Sequence, residues 1–248
     1  MKKSKITSVN RGISFLIYGD TGVGKTTTTL LTAPEPVAYV MLEPRDLSFV
    51  AGILKDRNID IFEPEDFWDF IRAMEDYSTF KDYQTIVIDS MTYLCNVMLL
   101  TEIEKETAEA KVFDTSKRKL VNLVRTDLSG YGAIGSWMNR ITTFMGNYVK
   151  QGKYVVGIAL ATDNPKWNVE LACAPNFIGE KFNKSYPAWF DCIGLVRPRV
   201  KDGKVIYPPA VYFESDGTFV AKWTGPNLDK KAFPYDLSKI IKIIKGGK

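Results

Sequence analysis

The stretch YGDTGVGKTTTT, residues 18–29, constrains the fold more than any other part of this 248-residue chain. Gly19, Gly24, Lys25 and Thr26 fit the spacing G-x-x-x-x-G-K-[ST], and the apolar, β-rich run ISFLIY stands directly before them. A flexible surface turn needs no buried strand ahead of it; a phosphate-binding loop does. Such a loop must point successive backbone N–H groups inward, and glycine tolerates the angles this requires. The helix that it opens adds unpaired N–H groups and the positive end of its dipole. The spacing therefore predicts a nucleoside triphosphate site built by Gly19, Asp20, Thr21, Gly22, Val23, Gly24, Lys25, Thr26 and Thr27. Lys25 is expected on the β- and γ-phosphates, the Thr26 hydroxyl on Mg²⁺, and Thr27 near the α-phosphate.

Composition removes several rival chemistries. The chain has no histidine, which excludes His-based general bases, Ser-His triads and His-ligated metals. Its three cysteines, Cys95, Cys173 and Cys192, form no C-x-x-C pair, so neither a disulfide framework nor a zinc site is expected. No apolar run approaches a membrane span, and no signal-peptide core follows the basic start. An intracellular, reducing setting is expected, with no membrane partner. The net charge of +4 permits nucleic-acid binding without demanding it.

Beyond the loop, a short helix should stop before Pro34. Apolar runs at residues 37–42, 59–62, 85–90, 154–162 and 191–198 read as strands. Residues 64–76 read as a helix with Pro64 in its first turn and Phe67, Phe70, Ile71 and Met74 on one face. Residues 92–150 read as helical, with a charged middle taken as a solvated face. AVYFESDGTFVAKW, residues 210–223, reads as a hairpin turning at Ser215, Asp216 and Gly217, and a basic amphipathic helix covers about 236–246. Strands alternating with helices predict an α/β fold with a largely parallel sheet, in one domain over 1–248 whose core runs from about 13 to 228.

TIVIDS supplies the partner the loop needs: an apolar strand ending in Asp89 places a carboxylate beside Mg²⁺. The usual GTPase element Asn-Lys-x-Asp is missing, since NKSY at 183–186 lacks the final Asp. AAA+ machines usually carry Glu directly after the strand Asp and end in a helical lid; here Ser90 follows, and the end reads as a hairpin and a short helix. Small-molecule kinases usually carry an Arg-rich lid, and residues 163–188 contain no arginine. A small-molecule phosphotransferase is therefore the third choice.

These residues resemble a family. TIVIDSMTYL is similar to the hydrophobic-Asp-Ser strand of RecA-like ATPases, and VAYVMLEP to their second core strand, which ends in the glutamate that activates water. Within that superfamily YGDTGVGKTT, GYGAIGSWMNRI, APNFIGEKFNKSYPAWFDCIGLVRP and VAKWTG resemble, in the same order, phage nucleotide-binding proteins of the Sak-type single-strand annealing group. The resemblance implies a RecA-like P-loop ATPase using ATP and Mg²⁺, converting ATP to ADP and phosphate. It implies a role in phage DNA recombination or single-strand annealing, in the cytoplasm of a bacterial host. Single-stranded DNA, further copies of the chain, and phage recombination or replication proteins are its implied partners. The alternative is a nucleotide-switched binding module that hydrolyses little and recruits a replication or packaging protein.

Carried over by residue, Glu43 is the general base, Asp89 the Mg²⁺-linked carboxylate, and Thr162 a γ-phosphate sensor. Lys222 is a cation acting on a neighbouring copy's nucleotide. The family's Lys-x-Arg has Thr224 in the arginine's place, and Thr162 lacks the usual amide or imidazole. Glu43 has support of its own: a hydrolase without histidine needs a carboxylate at the carboxyl edge of a neighbouring strand. Its plain alternative is an ion pair with Arg45. The stretch 163–188 corresponds to a DNA-contacting loop in RecA-like proteins. Lys166, Lys181 and Lys184 would meet phosphates there, with Trp167, Phe177 and Phe182 as stacking surfaces. The alternative is a surface loop with inward aromatics and solvated lysines.

Overall fold

Apolar runs of five or six residues, too short to make helices, are buried along their whole length when both faces of a sheet are covered. The computed structural model describes residues 11–105, 128–163, 171–179, 182, 185–228 and 232–246. Its strands are β1 (Ser14–Gly19), β2 (Val37–Met41), β3 (Ile59–Phe62), β4 (Thr85–Asp89), β5 (Tyr154–Asp163), β6 (Cys173–Pro175), β7 (Cys192–Lys201), β8 (Lys204–Tyr212) and β9 (Ala232–Pro234). They lie in the order β3-β2-β4-β5-β1-β7-β8-β9, with β6 paired to β5. From β3 to β7 every neighbouring pair is parallel, and β8 and β9 then add antiparallel contacts.

Alternation along the central strands feeds two cores. Leu16, Tyr18, Ile86 and Ile88 face one side, and Phe15, Ile17, Tyr39 and Val87 face the other. Described helices are α1 (Lys25–Thr32), α2 (Ser48–Leu54), α3 (Phe67–Glu75), α4 (Leu128–Lys150) and α5 (Leu237–Ile244). The first core is covered by α3, by α4 and by the helical stretch Met91–Tyr93 with its π-turn Leu94–Leu99. The second is covered by residues of α1 and α5. The fold is thus an α/β P-loop NTPase of RecA-like form, a mostly parallel sheet between helices.

The threonine run in and after the loop holds those layers together. Thr29 Oγ1 donates to the Lys25 carbonyl and is 2.7 Å from the Tyr235 hydroxyl. Ser238 Oγ donates to the Thr32 carbonyl, and Leu237 N to Thr32 Oγ1. A helix rich in β-branched threonine has modest intrinsic propensity. Here the hydroxyls of Thr29 and Thr32 bond helix carbonyls and the segment that leads into α5.

Two expectations shift. Asp66, accepting from Asp69 N at 2.7 Å, caps α3, so Pro64 precedes the cap and is not in the first turn. The hairpin is β7–β8, turning at Asp202 (φ 52) and Gly203 (φ 73). Two consecutive positive φ values are what a tight hairpin turn asks of Asp-Gly. The turn at Ser215, Asp216 and Gly217 exists, held by Ser215 Oγ and Asp216 Oδ1. The segment after that turn makes only isolated bridges, Phe219 to Cys173 and Lys222 to Ile193, so residues 210–223 are no hairpin. Much of the charged middle of 92–150 lies outside the described residues.

Candidate nucleotide site

Parallel strands deliver their carboxyl ends to one edge, and the site grows there. β5 separates β1 from β4, so the strand that leads into the loop and the strand that ends in Asp89 stand two strand spacings apart, about 10 Å. Register sets the heights: Gly19 pairs with Leu160, while Asp89 pairs with both Ile158 and Met41. α1 begins at Lys25 after Gly24 (φ 87), whose backbone suits glycine alone. A Cβ at Gly19 would come within 2.4 Å of the Val196 carbonyl oxygen. Both glycines are therefore required by the backbone path itself.

Lys25 is buried, and its ammonium donates to the carbonyls of Gly19 and Asp20 at 2.8 and 2.7 Å. Burial lowers its pKa to about 8, against the pull of Asp89. The Thr26 hydroxyl donates to Asp89 Oδ2 at 2.5 Å. Asp89 is 1% exposed; burial pushes its carboxyl above the ordinary range, and Thr26 and Arg45 pull it back. Its other oxygen, Oδ1, is buried without a hydrogen-bond partner. Glu43 stands two residues past the end of β2 and is held at both oxygens, by Ser90 Oγ on Oε1 and by Arg45 on Oε2. Arg45 Nη1 also lies 3.6 Å from Asp89 Oδ2 and 3.5 Å from Thr26 Oγ1. The Asp89–Ser90 peptide is cis.

These groups line one cavity of about 730 Å³, together with Thr21, Gly22, Gly24, Thr27, Leu47, Val50 and Tyr207. That volume suits a nucleotide-sized ligand. The residues also fit Mg²⁺, which takes one or two protein oxygens and completes its shell with phosphates and water. The Thr26 hydroxyl and the Asp89 carboxylate are such a pair. Among the described residues no group of three or more His, Cys, Asp and Glu could cage a metal by itself.

Of the expected set, Thr21, Gly22, Gly24, Lys25, Thr26, Thr27, Glu43 and Asp89 line this cavity, whereas Gly19, Asp20 and Val23 do not, Val23 packing into the second core. Thr162 lies two residues beyond Leu160, past the level of the loop, where β5 turns to pair with Ala174 of β6. It does not line the cavity, whereas Ile158, Ala159 and Leu160 do. Lys222 bridges to Ile193, which is level with Leu16, three positions before the loop's first glycine. Its ammonium donates to the carbonyls of Ala188 and Phe190 at 2.9 and 2.7 Å, so it is engaged within its own chain. Lys166, Trp167, Lys181 and Lys184 lie outside the described residues. Phe177 is buried at 2% exposure, and Phe182 packs edge-on against it and stacks on Tyr186, centroids 4.6 Å apart. Phe177 is thus a core residue, and Phe182 is a partly buried ring packed against that core.

Sequence reasoning missed Tyr39 and Tyr207. Tyr39 donates to Asp89 Oδ2 at 3.1 Å from the middle of β2. Tyr207, 68% exposed on β8, stands where it would touch a Cβ on Gly24 at 3.2 Å. Nothing local marks either residue. Only the pairing of β2 with β4, and of β8 beyond β7, carries them to the site.

Residues 11–223 match the family described as AAA domain. The crystal structure of flagellar accessory protein FlaH from Methanocaldococcus jannaschii is similar, with TM-score 0.50 and 12% identity over 90% of this chain and 84% of that one. At that identity the likeness bears on fold alone. No curated protein sequence matches the chain.

Proposed function

The chain belongs to the AAA domain family, and we propose that it is a Mg²⁺-dependent ATPase of the RecA-like kind. The observation that carries this reading is the Thr26–Asp89 contact at 2.5 Å with Glu43 beside it in the same cavity. Lys25 and the loop N–H groups would bind the phosphates, and Thr26 and Asp89 would hold Mg²⁺. The cation supplies charge neutralisation across the β- and γ-phosphates. Glu43 would orient a water and take its proton once its oxygens are freed from Ser90 and Arg45. Tyr207 offers an aromatic face beside the loop on which a base could stack.

Within that class we place the protein with Sak-type phage proteins, acting on single-stranded DNA in recombination or annealing. Support comes from the ordered motifs shared with that group and from the positive net charge. Assembly of several copies belongs to the same reading. The cation offered to a neighbour's nucleotide in this reading is Lys222. The test is ATP turnover measured against single-stranded DNA concentration. Turnover rising with DNA supports the reading, and turnover indifferent to DNA removes the DNA role.

One observation favours a second reading. Both Glu43 oxygens are engaged, which suits a nucleotide-switched binding module of low turnover. Tight Mg·ATP binding with turnover near background, with and without DNA, selects it.

A further inference from the structure

We propose that Arg45 is the residue by which this site distinguishes a nucleoside triphosphate from a diphosphate, by exchanging Asp89 for the terminal phosphate. The proposal rests on the nucleotide-site reading above and assigns a specificity role inside it. Arg45 follows β2 by four residues, and its side chain is 37% exposed. Its guanidinium spans the two halves of the site. Nε is 2.8 Å from Glu43 Oε2, while Nη1 is 3.6 Å from Asp89 Oδ2 and 3.5 Å from Thr26 Oγ1.

That place has a consequence. A divalent cation on the Thr26 hydroxyl and the Asp89 carboxylate would sit about 2.0–2.1 Å from its ligand oxygens. It would then stand beside Nη1, which lies 3.5 Å from Thr26 Oγ1 and 3.6 Å from Asp89 Oδ2, and two positive groups at such range repel strongly in a cavity with buried walls. Arg45 must therefore give up Asp89 when Mg²⁺ enters. Among the described residues its ion-pair partners are Glu43 and Asp89 only. A diphosphate ends at the β-phosphate, which the loop and Lys25 already serve. A triphosphate carries one more anionic group toward Glu43, within the sweep of the long Arg45 side chain. Planar guanidinium matches phosphate oxygens in pairs. Only the triphosphate replaces the contact that Mg²⁺ removes.

The competing account makes Arg45 an exposed ion-pair partner of Glu43 and nothing more, worth little by itself. The two accounts separate in binding measurements without turnover. Wild type, Arg45→Ala and Arg45→Lys would be titrated with a fluorescent non-hydrolysable ATP analogue and with the matching fluorescent ADP, each at fixed excess Mg²⁺. Arg45→Ala should lose about tenfold of its preference for triphosphate over diphosphate, the scale of one charge-assisted hydrogen bond. Its affinity for Mg·ADP should be equal to or higher than that of wild type, because no cation contests Asp89. Arg45→Lys should fall between, since its ammonium cannot pair two oxygens. An unchanged triphosphate-to-diphosphate ratio in Arg45→Ala, with wild type binding both nucleotides, overturns the proposal alone. A wild type that binds neither overturns the nucleotide-site reading and this proposal with it. Should Arg45→Ala fail to fold, Arg45→Gln is read by the same ratio.

Discussion

Tyr39 donates its phenolic proton to Asp89 Oδ2 across 3.1 Å, the same oxygen that accepts from Thr26. The buried phenol thus helps to fix the carboxylate's rotation. Burial and Asp89 both hold the phenol's pKa far above its ordinary value, so it stays a donor. Tyr39→Phe should cost about 0.5–1.5 kcal/mol of stability, the usual net worth of one hydrogen bond. It should also raise the Mg²⁺ needed for half-maximal nucleotide binding several-fold. Urea unfolding and a Mg²⁺ titration check the two parts separately, and an unchanged Mg²⁺ requirement would remove Tyr39 from the site's support.

Glu43→Gln should bind Mg·ATP and lose about 10²–10⁴-fold in turnover, because a near-isosteric amide cannot accept a proton as a base. Asp89→Asn should act differently, weakening the response to Mg²⁺ more than nucleotide affinity in its absence. If Glu43→Gln turns over at the wild-type rate, the base lies elsewhere on this edge.

Lys25→Ala should abolish tight nucleotide binding. Lys25 is a buried cation on two carbonyls and not a free surface arm, so the variant will also lose some stability. Losing those contacts should cost about 1–3 kcal/mol. Circular dichroism should still report a folded chain. Near-normal nucleotide affinity in that folded variant would falsify the loop assignment.

Cys95, Cys173 and Cys192 are all buried. Burial pushes the Cys95 thiol up to about 12 and also raises Cys192. Thiolate is the reactive form, so at pH 8 it is scarce at Cys95 as well as shielded. A bulky thiol reagent at pH 8 should leave native protein unlabelled, and denaturant should expose all three thiols. Immediate reaction of one thiol in native protein would contradict the packing around it.

The phosphate loop and Asp89 were legible in the sequence because each is a local signal: glycines at fixed spacing, and an apolar run ended by one acid. Arg45 was foreseen only as a salt-bridge partner of Glu43. Its contact with Asp89 depends on β2 lying against β4 in the register that pairs Met41 with Asp89. Thr162 was misplaced because β5 does not stop at the loop's level; it runs on to pair with β6, which carries no strong strand signal of its own. The hairpin was displaced because two Asp-Gly turns compete, at 202–203 and at 216–217. Only the first has partners of matching length on both sides.

The bonds from Thr29 and Thr32 to Tyr235, Leu237 and Ser238 also bear on how the protein is made. A ribosome emits every proposed phosphate and metal ligand well before residue 100, yet the Tyr235 that bonds Thr29 comes 206 residues after it. Until then α1 leaves the tunnel with one side uncovered, as a stretch of threonines with little helical preference of its own. Closure between such distant positions is slow, because ordering the intervening chain precedes the contacts that reward it. The nascent chain would therefore carry a complete nucleotide motif in a form unable to grip a nucleotide. Binding competence would arrive late in synthesis, set by the segment that closes over the phosphate helix.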